Sequence, residues 1–290
     1  MSVLCLITNP AEPALDARLV AAIQHETHGE INWLCPGVAC EIVRPQAADP
    51  VAIARAHVGT EPVDVALVPL ANRRKRLLIA DMDSTMIDQE CIDELADALG
   101  LKPQVAAITE RAMNGELDFE QALRTRVALL EGLERGVIEE IRRERITLAP
   151  GSRTLVQTMK AYGAHTALVS GGFTFFADYI AKRLGFDESV ANTLEFAGER
   201  LSGTVASPVV GKEMKLSRLL ALSQEMDIPI AATMAVGDGA NDLDMIKAAG
   251  LGVALHAKPV VAAEAHVRID HGDLTALLYL QGFAEEEFVR

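Results

Sequence analysis

The tetrapeptide Leu77-Leu78-Ile79-Ala80 is apolar at every position and runs directly into Asp81-Met82-Asp83-Ser84-Thr85. A short strand without polar alternation is buried on both faces, the environment of a strand inside a parallel sheet. Similar runs at Thr166 to Val169, Thr233 to Val236, Gly252 to Leu255 and His266 to Ile269 each precede or follow a helical pattern. Strands alternating with helices predict an α/β fold built on a doubly wound parallel sheet. Such a sheet opens its ligand crevice at the C-terminal ends of its strands, so the polar residues after these runs are the candidates for chemistry.

Between the Leu77 strand and the one ending at Ser170 lie about eighty residues of almost wholly helical pattern, too many for a simple crossover. They predict an inserted helical cap over about 88–149, leaving 77–87 and 150–290 as the core. Asn192 to Val205 alternates around Gly198 and Gly203 as a β-hairpin flap beside the sheet would. Residues 1–72 read as a separate α+β unit of order βαββαβ. A strand at Val3 to Ile7 is followed by a helix through Leu15, Leu19, Val20 and Ile23. A hairpin follows around Pro36-Gly37, then a helix capped by Asp49-Pro50 and a last strand at Val63 to Leu70. The order resembles the ACT domain, an amino-acid-binding regulatory module whose units often pair edge to edge. A regulatory or interaction domain and a homodimer are what that resemblance implies. Asn72-Arg73-Arg74-Lys75-Arg76, the densest basic run, reads as a solvated linker ahead of the domain 73–290.

Composition removes several classes of function. Asp and Glu number 41 against 27 Lys and Arg, a net charge of −14 that repels polyanions, so no nucleic-acid partner is expected. No apolar run approaches the roughly 18 residues a bilayer span needs, so no membrane partner is expected either. Cys5, Cys35, Cys40 and Cys91 form no CxxC pair and no charged, apolar-cored leader precedes them, which suits a reducing cytoplasm. None of the seven histidines stands at metal-ligand spacing, and Cys91 lacks a partner base.

Three strand ends carry reactive groups: Asp81-Met82-Asp83-Ser84-Thr85, Ser170-Gly171-Gly172 and Gly237-Asp238-Gly239-Ala240-Asn241-Asp242. Carboxylates, a hydroxyl and exposed backbone N–H groups in one crevice suit a hard cation such as Mg2+ together with a phosphate, and Lys215 can complete the charge balance. Each piece alone is an ordinary acidic loop or turn. The joint order, each piece following an apolar strand, carries the reading. These residues resemble the motifs of the haloacid dehalogenase (HAD)-like superfamily over residues 77–290. DMDSTMIDQECIDELA, FEQALRTRV, VSGGF and AVGDGANDLDM are similar to phosphoserine phosphatases within it.

The resemblance implies roles residue by residue. Asp81 is the nucleophile that forms an aspartyl-phosphate, and Asp83 is the acid that protonates the leaving oxygen and then the base toward water. Asp81, the Asp83 carbonyl and Asp238 hold Mg2+, with Asp242 orienting that shell. Ser170, Gly171, Lys215 and Asn241 bind phosphate oxygens. In the cap, Phe119, Ala122, Leu123, Val127 and Leu130 form one apolar helical face behind the capping residue Asp118, and Arg126 falls on that face. By itself Arg126 reads as a snorkelling margin residue. The resemblance makes it the reader of a substrate carboxylate, with Glu90 recognising the ammonium group. Met113 and Phe119, which alone read as cap core, close over the site and exclude water. The implied activity is Mg2+-dependent hydrolysis of phosphoserine, the last step of serine biosynthesis. The alternatives are a phosphatase or phosphotransferase acting on another small phosphate ester, and a non-catalytic amino-acid sensor.

Overall fold

The computed structural model describes residues 1–290. Its first four strands, β1 (Ser2–Ile7), β2 (Glu30–Cys35), β3 (Ala39–Val43) and β4 (Asp64–Pro69), form an antiparallel sheet in the order β2-β3-β1-β4. Helices Ala17–Thr27 and Pro50–Val58 complete the βαββαβ order, and the Asp16 and Asp49 side chains accept N–H bonds at their starts. Alternation along β1 sorts its side chains between two cores. Leu4 and Leu6 face the two helices, whereas Val3, Cys5 and Ile7 join the large core of the rest of the molecule.

The second sheet has six strands in the order β12-β11-β10-β5-β6-β7, all parallel. They are β5 (Leu77–Ala80), β6 (His165–Phe173), β7 (Glu188–Asn192), β10 (Thr233–Gly237), β11 (Leu251–Leu255) and β12 (Val267–Ile269); β8 (Leu194–Ala197) and β9 (Arg200–Val205) form a separate hairpin. The α/β expectation and its parallel sheet are therefore borne out. In β5, Leu78 and Ala80 join the large core on one face while Leu77 and Ile79 join a second core on the other. Burial on both faces is what the unbroken apolar tetrapeptide required.

Helices Cys91–Asp97, Lys102–Met113, Phe119–Ala128 and Arg135–Glu144 follow β5, before Ser152–Ala161 leads into β6. The hairpin β8–β9 packs on Phe119–Ala128 and is tied to the next helix by the Glu134–Arg200 bridge.

The reading of 72–76 as a solvated linker holds for Asn72, Arg74 and Arg76, which are exposed, and fails for Arg73 and Lys75, which turn inward. Arg73 donates to the Leu280 carbonyl at 3.0 Å and the Tyr279 carbonyl at 3.3 Å, and ion-pairs with the buried Glu41. Lys75 donates to the Ala231 carbonyl at 2.8 Å, and Arg74 lies over the Phe283 ring at 4.0 Å. The acceptors that draw these cations in are mostly some two hundred residues away in sequence, so no local pattern could display them. From the other side, Asp64 at the start of β4 accepts the Asp270 N–H at 2.8 Å and the Gly272 N–H at 2.7 Å.

Candidate active site

Register brings the three strand ends together. Ala80 of β5 lies opposite Val236 of β10 and Leu168 of β6, so Asp81 and Asp238 leave the sheet at nearly the same level as Ser170. The Asp81 N–H donates to the Val236 carbonyl at 3.0 Å and seals that level. On the other side of β6 the pairing jumps from Val169–Val190 to Phe173–Asn192. Residues 170–172 thus bulge out of the ladder, a common way to aim backbone at a site. Asn192 donates to the Gly171 carbonyl at 2.8 Å and Ser170 Oγ accepts the Gly172 N–H at 2.9 Å, which holds the bulge. A Cβ at Gly172 would overlap Asp83 Oδ2, so the missing side chain is a steric requirement of the site.

Beneath this level sits a buried charge cluster. Lys215 Nζ lies 2.8 Å from Asp81 Oδ1 and donates to Asp242 Oδ1 at 2.6 Å. The other Asp242 oxygen accepts the Asp238 and Gly239 N–H groups at 3.2 and 3.1 Å. Asp242 is therefore saturated and orients its neighbours. Asp81 Oδ1 also accepts the Met82 N–H at 2.8 Å, and Asp238 Oδ1 accepts the Thr85 hydroxyl at 3.0 Å. One oxygen each of Asp81 and Asp238 is left without a protein donor.

Oxygens of Asp81, Asp238 and Asp242 lie within 4.8 Å of one another, and the cluster could hold a metal ion. Its electrostatics fit one. Burial, reinforced by Glu90, lifts Asp83 and Asp238 well above the usual carboxylate range; burial lifts Asp242 to about 7 and Glu90 to about 6. Five acidic groups share this region with the Lys215 and Arg126 cations, and a hard divalent cation on oxygen ligands would offset the surplus.

Above the cluster the cap closes a cavity of only about 20 Å3. Asp81, Asp83, Ser170, Gly171 and Asn241 line it from the core, and Glu90, Met113, Phe119 and Arg126 from the cap side. The Asn241 amide oxygen is buried there without a hydrogen-bond partner. Phe119 packs so closely on Gly171 that a Cβ there would stand 2.6 Å from the ring. Arg126 is 2% exposed, and no acidic side chain lies within 4.0 Å of its guanidinium. A buried cation with no direct ion pair is uncommon, and here it faces a cavity. Every residue assigned from the sequence either lines this cavity or, as with Lys215, Asp238 and Asp242, lies directly beneath it.

Comparison with known proteins places the chain in a family. The haloacid dehalogenase-like hydrolase family matches residues 78–247, more than half of the chain. The chain belongs to that family. A phosphoserine phosphatase of Streptomyces coelicolor is 46% identical over 227 residues, 78% of this chain. The chain spans only 55% of that relative's length. Among solved structures, a HAD family hydrolase from Salmonella enterica serovar Typhi superposes with a TM-score of 0.83 at 30% identity, covering 99% of this chain and all of the other. A phosphoserine phosphatase holding a phospho-aspartyl intermediate analogue gives 0.68 at 38% identity, covering 71% of this chain and 98% of the other.

Several supporting residues escaped the sequence reading. Ser84 donates to Glu90 at 2.8 Å, Thr85 to Asp238, and Asn192 supports the 170–172 bulge. Thr109 and Asp93 stand behind Arg126. Ser84 and Thr85 lie within the first acidic motif, so their position was a usable signal. The other three contact their partners across helices or strands and left none.

Proposed function

We propose that this chain is a Mg2+-dependent phosphatase that hydrolyses O-phosphoserine to serine and phosphate, the last step of serine biosynthesis, through an aspartyl-phosphate on Asp81. The observation that carries the substrate is Arg126, a buried guanidinium with no direct ion pair, facing a cavity that also holds Asp81 and Ser170. A planar fork suits a carboxylate, and the Glu90 carboxylate on the same cavity suits an ammonium group. A phosphate monoester bearing both, small enough for a cap closed this tightly, is phosphoserine. The Streptomyces relative's name and the phospho-aspartyl analogue point the same way.

Mg2+ held by Asp81, Asp238 and the Asp83 carbonyl would screen the phosphoryl charge and fix its geometry. The remaining work falls to the chain. The donor-free oxygen of Asp81 attacks phosphorus while the serine oxygen leaves. Asp83, whose burial favours the neutral carboxyl, gives that oxygen its proton. Water then attacks the aspartyl-phosphate and yields a proton to Asp83, which releases phosphate and restores both carboxyls. Ser170 Oγ, the Gly171 N–H, Lys215 and the Asn241 amide face the spreading charge on the phosphoryl oxygens. Met113 and Phe119 keep bulk water out.

The division of the chain belongs to the same proposal. Residues 77–87 and 150–290 carry the chemistry, 88–149 the choice of substrate, and 1–72 a regulatory or pairing role in a cytoplasmic enzyme. No helix is long and apolar enough to cross a membrane. Phosphate release from phosphoserine, phosphothreonine and an aryl phosphate, with and without EDTA, tests the reading. It expects metal-dependent turnover with phosphoserine preferred; serine binding with no phosphate release in any buffer would replace it with the sensor alternative.

A further inference from the structure

Arg126 is held by something other than a counterion. Its Nε donates to the Ala122 carbonyl one turn back at 3.2 Å, and its Nη1 donates to Thr109 Oγ1 at 2.9 Å. Thr109 lies in helix Lys102–Met113 and is 4% exposed, and its hydroxyl is 2.8 Å from Asp93 Oδ1 in helix Cys91–Asp97. The Val105 carbonyl offers the same hydroxyl a second acceptor at 3.1 Å. A hydroxyl has one hydrogen, and the shorter bond to a charged oxygen takes it. A guanidinium only donates and an ionised carboxylate only accepts, so the chain runs one way: Arg126 N–H to Thr109 oxygen, Thr109 O–H to Asp93.

We infer that Thr109 and Asp93 are positioning residues for carboxylate recognition, a hydroxyl-spaced relay that aims Arg126 while leaving its outer edge free for the substrate. The inference rests on the assignment of Arg126 as the carboxylate reader. A direct Asp–Arg pair would fill the fork with two parallel bonds and compete with the ligand. Inserting one hydroxyl keeps the negative charge a bond further off, fixes the plane of the guanidinium and uses one of its N–H groups. The relay also joins three cap helices, because Arg126 is on Phe119–Ala128. Asp93 and Thr109 line a larger cleft of about 550 Å3 that shares Glu90 and Met113 with the substrate cavity. One end of the relay therefore meets solvent and the other meets substrate.

The test compares phosphoserine with O-phosphoethanolamine, which keeps the phosphate and ammonium groups and lacks only the carboxylate. The readout is the ratio of their kcat/KM values. Thr109→Val, nearly isosteric, should lower that ratio about tenfold, the worth of one hydrogen bond to a charged group, with the loss falling mainly on KM for phosphoserine. Thr109→Ser should restore it to within about twofold, as a role in packing alone would not. Should Thr109→Val fail to fold, Asp93→Asn, which removes the charge and keeps an acceptor, is expected to lower the ratio several-fold in its place. An unmoved ratio, equal losses on both substrates, or failure of serine to restore it would overturn the relay. Arg126→Met separates the two levels: a ratio unmoved in that variant sinks the carboxylate assignment itself, whereas a collapsed ratio there with Thr109→Val unchanged sinks only the relay.

Discussion

Arg126→Met removes the charge at the centre of the proposed specificity while keeping side-chain length. Of the five N–H bonds on the guanidinium, one serves Ala122 and one serves Thr109, which leaves three for a ligand. A carboxylate meeting that fork makes two charged hydrogen bonds worth about 1.5–3 kcal/mol each. Their loss should cost about 3–6 kcal/mol, or roughly two to four powers of ten in kcat/KM for phosphoserine. O-Phosphoethanolamine should lose less than about tenfold under the same change, because it makes no such bond. Stability should change little: the guanidinium has no direct ion pair to lose, and methionine fills the site without the cost of burying a charge. Steady-state kinetics on both esters and a thermal denaturation midpoint read all three quantities. Equal losses on the two substrates, or a midpoint that falls by ten degrees, would show that Arg126 builds the cap and does not read the substrate.

Other predictions follow from separate parts of the site. Asp81→Asn should abolish turnover and the acid-labile phosphoryl-enzyme seen after quenching with labelled substrate; undiminished labelling would remove Asp81 as the nucleophile. Gly172→Ala puts a methyl group into Asp83 and should lower kcat about 100-fold with near-ultraviolet circular dichroism unchanged, since small misplacements of a reacting group are costly. In protein stripped with EDTA, burial raises the Asp242 and Glu90 carboxyls to about 7 and about 6, whereas in the unfolded chain such groups titrate at about 4. That contribution is present at low pH and fades as pH rises through 6 and 7, so the urea midpoint should fall between pH 5 and 8 and Mg2+ should recover it at pH 8. A midpoint that rises over this range, or ignores the ion, contradicts the charge surplus. Arg73→Met strands the buried Glu41 and should cost about 3–5 kcal/mol in chemical denaturation, most of it regained in Arg73→Met/Glu41→Leu; no loss in the single variant would show the pair to be idle.

What the sequence made legible depended on how local the physics was. The strand ends could be read because alternation is absent from Leu77 to Ala80 and because a parallel sheet displays ligands at one edge. Asp81, Ser170 and Asp238 therefore fall where the pattern put them. Arg126 was visible as a charge on an apolar stripe, but its lack of a counterion is a property of three packed helices. Thr109 was indistinguishable from any buried threonine bonded to its own helix, since its partners Asp93 and Arg126 belong to two other helices. Arg73 and Lys75 within the basic run were misread for a related reason: four cations in a row all look solvated until the carbonyls at Ala231, Tyr279 and Leu280 draw two of them inward.

That late arrival bears on how the molecule is made. The outer face of the first sheet, with Val3, Cys5 and Ile7, shares its core with Leu274 to Phe283, and Arg73 bolts onto Tyr279 some 206 residues downstream. At translation speeds of about 5–20 residues per second, that greasy surface waits on the order of 10–40 s for its cover to leave the ribosome. Throughout that interval the nascent polypeptide offers chaperones a bare sheet, and any ribosomal stall after the cap is synthesised prolongs its exposure to aggregation.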